Sequence, residues 1–187
     1  MRGSLVSLLA AASIGAGLAA GAALAAAPQP KKPVAIDRFL GRWYEIARTP
    51  NVNQKNCWAP TMTWTRVSAD RYAVSQTCRK GSVSGPVSST KSSVSIVDSK
   101  TNAKLNVGFF GGVVKQEYWV LDHADDYRWA LVGTPGGNFI WVLARKPSLS
   151  SAERAEVIGR VRALGYNPGK LQYAGLTVAG GDTAGTP

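Results

Sequence analysis

The chain has 187 residues, of which 45% are hydrophobic, and it carries a formal net charge of +11. This length is typical of one domain, and the apolar content is sufficient for a packed core or the wall of an apolar cavity. Lys and Arg are scattered, as at Arg66, Lys91 and Lys115, without a dense basic run, which argues against nucleic-acid binding and leaves an anionic membrane surface or another polyanion as a possible partner.

The first 25 residues predict a signal peptide. Arg2 precedes an uncharged run rich in Ala and Gly that ends in small residues, so we expect cleavage near Ala25 and export to the periplasm or the medium. A retained membrane anchor is the alternative, although Ala and Gly make insertion only weakly favourable. The first cysteine is Cys57, so no cysteine for lipid anchoring follows the run. Residues 26–33 predict an extended lead-in, and residues 34–176 the folded domain.

Short strands separated by turn residues dominate the domain. Asp37 can cap a helical turn through Leu40, after which Gly41 lets the backbone enter a strand from Arg42 to Arg48. Runs rich in aromatic and β-branched residues predict further strands over 61–67, 72–78, 91–97, 103–109, 116–122, 127–133 and 138–145. The Gly/Ser/Pro-rich segment 80–89 is expected to connect two hairpins. Short links favour antiparallel pairing, and a sheet of this size commonly closes into an up-and-down barrel, with a sandwich as the alternative.

One helix and a tail follow the strands. Ser150 and Glu153 have the spacing of a capping box, and apolar residues recur at 155, 158, 161 and 164, which predicts a helix ending at Gly165. A short strand is expected over 171–174. Residues 177–187 are rich in Gly and Thr and predict a disordered tail. The expected fold class is therefore all-β, an eight-stranded antiparallel barrel with one C-terminal helix packed outside.

Export affects what the two cysteines are expected to do. In an oxidising compartment Cys57 and Cys78 can pair, which would close a loop of about twenty residues and stabilise the fold by roughly 3 kcal/mol. Two separate buried thiols are the alternative.

Three sequence motifs resemble those of the lipocalin family, as found in bacterial lipocalins and apolipoprotein D. The run from Phe39 to Arg48 resembles the first motif, Asp126 to Val132 the second, and Trp141 to Pro147 the third. The resemblance implies a barrel in which Gly41, Trp43, Asp126, Tyr127 and Arg145 are structural motif residues. Stacking of the Arg145 guanidinium on the Trp43 indole would be worth about 0.5–2 kcal/mol.

The resemblance also implies a function. We expect passive binding and transport or storage of a small hydrophobic ligand, such as a fatty acid or (lyso)phospholipid. The sequence contains no Cys/His cluster with zinc spacing and no phosphate or dinucleotide motif, so we expect neither a metal nor a cofactor. Some lipocalins are isomerases that use a cysteine in the cavity, which makes a free Cys78 the candidate of an enzymatic alternative. A basic module that binds polyanions or an anionic membrane is the other alternative. His123 lies in a predicted solvated turn.

Strand alternation predicts which side chains line the cavity. If the turn at 123–126 sets the register, Asp122 faces Tyr127 and Val120 faces Trp129 on one surface, which we take to be the lumen. Trp141 shares a face with Arg145, and Glu45 shares one with Trp43. The predicted ligand-binding residues are Glu45, Trp64, Phe110, Tyr118, Val120, Trp129 and Trp141.

Overall fold

The computed structural model describes residues 26–174, so the expected signal peptide at 1–25 and the expected tail at 177–187 lie outside the described residues. A short helix α1 (Ile36–Phe39) precedes the first strand, and helix α2 (Ser151–Ala163) follows the eighth. The strands are β1 (Gly41–Arg48), β2 (Cys57–Arg66), β3 (Arg71–Lys80), β4 (Val87–Ile96), β5 (Lys104–Phe109), β6 (Val114–His123), β7 (Trp129–Gly133), β8 (Ile140–Ala144) and β9 (Gln172–Tyr173).

Strands β1 to β8 form a closed antiparallel barrel, as predicted. Each strand pairs with the next along the chain, and β1 closes the barrel because it pairs with both β2 and β8. Tyr44 pairs on both sides, because it lies opposite Thr61 of β2 and opposite Ala144 of β8. The short β9 pairs with the end of β1. Closure leaves these eight strands without a free edge, unlike the sandwich alternative.

Strand β4 begins earlier than the sequence predicts. Val87, Ser88 and Ser89 belong to the segment expected to be a connection, yet they continue an antiparallel pairing that runs from Arg71↔Ser95 to Arg79↔Val87. Serine and threonine supply little apolar alternation, so the pattern gave a weak strand signal there. Backbone pairing with β3 decides the conformation instead.

The predicted register between β6 and β7 is wrong. A bulge between Val120 and Asp122 shifts the pairing, so Val120 lies opposite Val132 and Asp122 opposite Leu131. The turn is also longer than predicted, because Tyr127 adopts a left-handed conformation (φ 62°) and β7 begins only at Trp129. A shift of one residue exchanges the two faces of a strand. Trp129 therefore faces away from Val120.

Two apolar clusters result. One lies in the barrel interior and includes Trp43, Trp64 and Val120. The other lies between the outer wall and α2, where Val157 and Val161 of the helix pack against residues such as Trp129. The predicted capping box of α2 is present: Ser150 Oγ accepts a hydrogen bond from the Glu153 backbone N–H, and the Glu153 carboxylate accepts one from the Ser150 backbone N–H. Of the expected apolar face of the helix, residue 155 is exposed.

The barrel has two different ends. We call the end that carries α1 the base; the connections 67–70, 97–103 and 124–128 lie there because successive strands alternate in direction. The connections 49–56, 81–86, 110–113 and 134–139 lie at the opposite end, the mouth. The lead-in crosses the base, where the Val34 N–H donates to Thr101 O.

His123 is buried at the base, so the predicted solvated turn is wrong for this residue. Its Nδ1 lies 2.8 Å from Ala124 O, and its Nε2 lies 3.1 Å from Pro33 O.

Candidate functional site

The base of the barrel is closed by a stacked group of side chains. The Arg145 guanidinium lies 3.7 Å from the centroid of the Trp43 ring, as the sequence predicts, and donates to the carbonyls of Arg42 and Arg38 at 2.8 and 2.5 Å. Trp43 Nε1 donates to Phe39 O at 2.8 Å. These contacts pair both Nη atoms of Arg145 and the indole N–H of Trp43 within the protein and hold α1 across the barrel end. The arrangement is structural.

Above the base, the interior wall is apolar. Strand alternation directs one residue in two inward, and these residues form one continuous cluster. The strands β2 to β8 contribute Met62, Trp64, Tyr72, Val74, Val94, Leu105, Val107, Val120, Ala130, Val132 and Leu143. Tyr118 and Trp141 pack on this cluster from the mouth side, with their ring centroids 5.5 Å apart. Such a wall favours the acyl or ring portion of a ligand.

A polar group lies toward the mouth. Arg48 Nη1 donates to Glu45 Oε1 at 2.7 Å, and both side chains are at most 2% exposed. Gln54, on the β1–β2 connection, donates to Glu45 Oε2 at 2.9 Å and accepts from Trp141 Nε1 at 3.0 Å. Burial raises the pKa of the Glu45 carboxyl, while the charge of Arg48 and the hydrogen bonds from Arg48 and Gln54 act in the opposite direction. The chain therefore holds a carboxylate, a guanidinium and an amide beside the apolar wall.

Two further polar atoms face the interior without a partner. Within residues 26–174, Trp64 Nε1 and Ser92 Oγ are buried and make no hydrogen bond to the protein, and the same holds for Arg48 Nε and, on the helix side of the wall, for Trp129 Nε1 and the Tyr166 hydroxyl. Trp64 lies opposite Val74, which in turn lies opposite Ser92, so the three residues form one row across β2, β3 and β4. Buried polar groups are normally paired, and an unpaired one calls for an explanation. Ligand atoms that accept hydrogen bonds could pair with these two groups.

The structure brings together five of the seven residues predicted to contact a ligand. Four of them belong to the interior cluster or pack on it: Trp64, Val120, Tyr118 and Trp141. The fifth, Glu45, is linked to Trp141 by the Gln54 side chain, which hydrogen-bonds to both. Whether they contact a ligand stays a prediction.

Trp129 and Phe110 lie elsewhere. Trp129 packs under α2, because the bulge between Val120 and Asp122 places it on the outer face of the wall. Phe110 is 82% exposed, because β5 ends at Phe109, whose side chain is the one that faces inward, and the chain then turns with φ 51° at Phe110. Neither residue is part of the interior wall.

Sequence reasoning missed Arg48, Gln54 and Ser92. The spacing of Glu45 and Arg48, three residues apart, was an available signal, since a carboxylate inside an apolar barrel requires a partner. Gln54 belongs to a connection and Ser92 to a serine-rich strand, and neither pattern distinguishes an inward side chain from an outward one.

The predicted disulfide is present. Cys57 and Cys78 are joined with an S–S distance of 2.03 Å, linking the starting segment of β2 to the end of β3. It leaves neither cysteine of the chain with a free thiol. Among residues 26–174, no cluster of three or more His, Cys, Asp or Glu side chains could hold a metal ion, and no helix has the length and apolar character needed to span a bilayer.

Comparison with known proteins agrees with the barrel and its motifs. The sequence model of the family described as lipocalin-like domain matches residues 34–175. The chain belongs to this lipocalin-like family. Temperature-induced lipocalin-1 of Arabidopsis thaliana is 27% identical over 147 residues, which cover 75% of this chain and 78% of that protein. The outer membrane lipoprotein Blc of Vibrio cholerae is 25% identical over 150 residues, or 78% of this chain and 86% of the relative.

Solved structures show the same lipocalin fold. Insecticyanin from the tobacco hornworm Manduca sexta superimposes with a TM-score of 0.65 at 18% identity, covering 79% of this chain and 85% of that protein. At this identity the likeness concerns the fold alone.

Proposed function

We propose that this lipocalin binds an amphiphile, such as a fatty acid or a lysophospholipid, with the acyl chain inside the barrel, and that binding is passive and reversible. Family membership supports the coarser statement that the ligand is small and hydrophobic. The observation that carries the finer one is the row of Trp64 and Ser92, two buried polar side chains without a protein partner in the described residues, set in an apolar wall. An amphiphile offers both an apolar chain and an acceptor oxygen.

The chemistry of the row narrows the ligand class. The Trp64 indole N–H is a donor only, and the Ser92 hydroxyl can donate as well as accept. The oxygens of a carboxylate or an ester can accept from such donors, whereas a pure hydrocarbon would leave both unpaired at a cost. Ligands with an acceptor oxygen are therefore expected to bind more tightly than alkanes of the same length.

Titration with palmitate and with lysophosphatidylcholine tests the proposal, followed by tryptophan fluorescence and by calorimetry. We expect saturable binding of about one ligand per chain. Trp141→Phe should reduce the fluorescence change, while Trp129→Phe, on the other side of the wall, should leave it intact. Ser92→Ala should weaken palmitate about fivefold, and the outward-facing neighbour variant Ser93→Ala should not. Absence of saturable heat and fluorescence change with both ligand classes would contradict the proposal.

The thiol-dependent isomerase alternative lacks its nucleophile in this structure, because Cys78 is bonded to Cys57. The same disulfide supports the proposal of export, since such bonds persist in oxidising compartments such as the periplasm.

A further inference from the structure

An exposed apolar loop projects from the mouth. The β5–β6 connection, residues 110–113, carries Phe110 at 82% and Val113 at 86% exposure, and Val52 on the β1–β2 connection is 88% exposed at the same end. Left-handed backbone at Phe110, Gly111 and Gly112 makes the chain turn sharply there, with Phe110 outside the barrel. Neighbouring exposed apolar side chains of this size commonly mark a surface that meets a partner.

Two lysines flank this loop. Lys91 lies two residues beyond Ser93, which is opposite Gly108, and it lines the same groove as Gly111 of the loop. Lys115 lies opposite Gly108 on the other neighbouring strand. Within the described part of the chain, neither lysine forms an ion pair with a carboxylate. The apolar tip therefore has positive charge on both sides.

Acidic residues are unevenly distributed between the connections at the two ends of the barrel. None of the four connections at the mouth contains Asp or Glu. Each connection at the base does, at Asp70, Asp98, Asp125 and Asp126. An anionic surface that approaches the mouth therefore meets no carboxylate in these connections.

A groove on the outer wall begins beneath the loop. It has a volume of about 640 Å³ and runs along β3, β4 and β5, with Ser93 and Gly108 on its floor. Arg71, Lys91 and Lys115 line it, and no carboxylate does. Phosphate oxygens of a lipid headgroup match such a lining of cations and serine hydroxyls.

We propose that the mouth of this lipocalin docks on an anionic lipid bilayer, with Phe110 and Val113 inserted among the acyl chains and Lys91 and Lys115 against the headgroups. Protruding apolar side chains next to lysines match the boundary between headgroups and acyl chains. A protein partner or a second copy of the chain would need a larger complementary face than two loop tips. This docking does not depend on what the barrel interior binds.

Flotation with vesicles of phosphatidylglycerol and phosphatidylcholine, compared with pure phosphatidylcholine, tests the docking on the exported form that is expected to begin near residue 26. We expect binding to the anionic vesicles that decreases as salt is raised. Phe110→Ser/Val113→Ser should weaken it by about tenfold or more, and Lys91→Gln/Lys115→Gln by about fivefold per lysine. Both double variants should keep the wild-type affinity for palmitate in the soluble titration, whatever that affinity is.

Matched variants at the base control for general effects of polarity and charge. Val97→Ser replaces a half-exposed valine there, and Lys100→Gln removes a positive charge from the same connection. Both should bind anionic vesicles like the wild type. The docking proposal is overturned if the wild type does not float with anionic vesicles, or if the base variants lose as much binding as the mouth variants. It is also overturned if the Phe110/Val113 variant floats normally while changing a dimer into a monomer in sedimentation, which would identify a second copy as the occupant.

Discussion

Replacing Arg48 with Met tests how much the buried ion pair between Glu45 and Arg48 stabilises the fold. The substitution removes the guanidinium but keeps an unbranched apolar side chain, and it leaves the Glu45 carboxylate, 1% exposed, with only the amide of Gln54 as donor. Removing one partner of a buried pair typically costs about 3–5 kcal/mol, because the other charge stays buried without compensation. We expect the free energy of unfolding at neutral pH to fall by that amount.

The Arg48→Met substitution should also change how the free energy of unfolding depends on pH. Burial already raises the pKa of the Glu45 carboxyl, and the charge of Arg48 is the strongest influence that opposes it. A carboxyl whose pKa is higher in the folded state stabilises the fold below its unfolded pKa of about 4.3, and this contribution is lost as the pH rises through the folded pKa. The Arg48→Met protein should therefore lose more stability than the wild type as the pH rises from mildly acidic to mildly basic.

Urea unfolding followed by circular dichroism at several pH values measures both effects. Glu45→Leu combined with Arg48→Met is the matched control, since it removes both charges. It should recover much of the loss and the excess pH dependence, although the carbonyls of Gln54 and Cys57 still lack the hydrogen bonds from Arg48. A loss below about 1 kcal/mol in the single variant, with no change in pH dependence, would refute the reasoning.

Two further predictions concern the stability of the barrel. Reducing the Cys57–Cys78 bond, which spans 21 residues, should lower the free energy of unfolding by about 3 kcal/mol; urea unfolding with and without a reductant measures this, and coincident curves would contradict it. Arg145→Lys should cost about 1–2 kcal/mol, because lysine cannot stack on Trp43 while donating to two carbonyls. The exposed neighbour variant Lys146→Arg should cost nothing measurable, and equal losses in both variants would exclude the stacking explanation.

The sequence was sufficient for the fold because the signals there are local. Gly41 and Trp43 indicate the start of the first barrel strand, and Arg145 indicates the end of the last one. Turn residues between β-branched runs separate the strands. The capping box at Ser150 locates the start of the helix within a residue of where it is found.

The candidate site was only partly predictable, because inward and outward positions depend on register. One bulge near Leu121 and one left-handed residue, Tyr127, are enough to move Trp129 from the interior to the helix side of the wall. Phe109 and Phe110 are identical in type and adjacent, so only the exact end of β5 decides which one faces inward. No periodicity resolves such a choice.

The positions of polar groups bear on how a ligand would be oriented. The base is sealed by contacts that the protein completes itself, around Trp43 and Arg145, so it offers little to a polar headgroup. The unpaired Ser92 lies midway along β4, the unpaired Trp64 packs on Phe39 near the base, and the Glu45 group lies nearer the mouth. A ligand whose acceptor oxygens pair with Trp64 and Ser92 would leave the apolar wall between that row and the mouth to its acyl chain. Docking of the same end on a bilayer would then let the ligand pass between membrane and barrel without exposing its acyl chain to water.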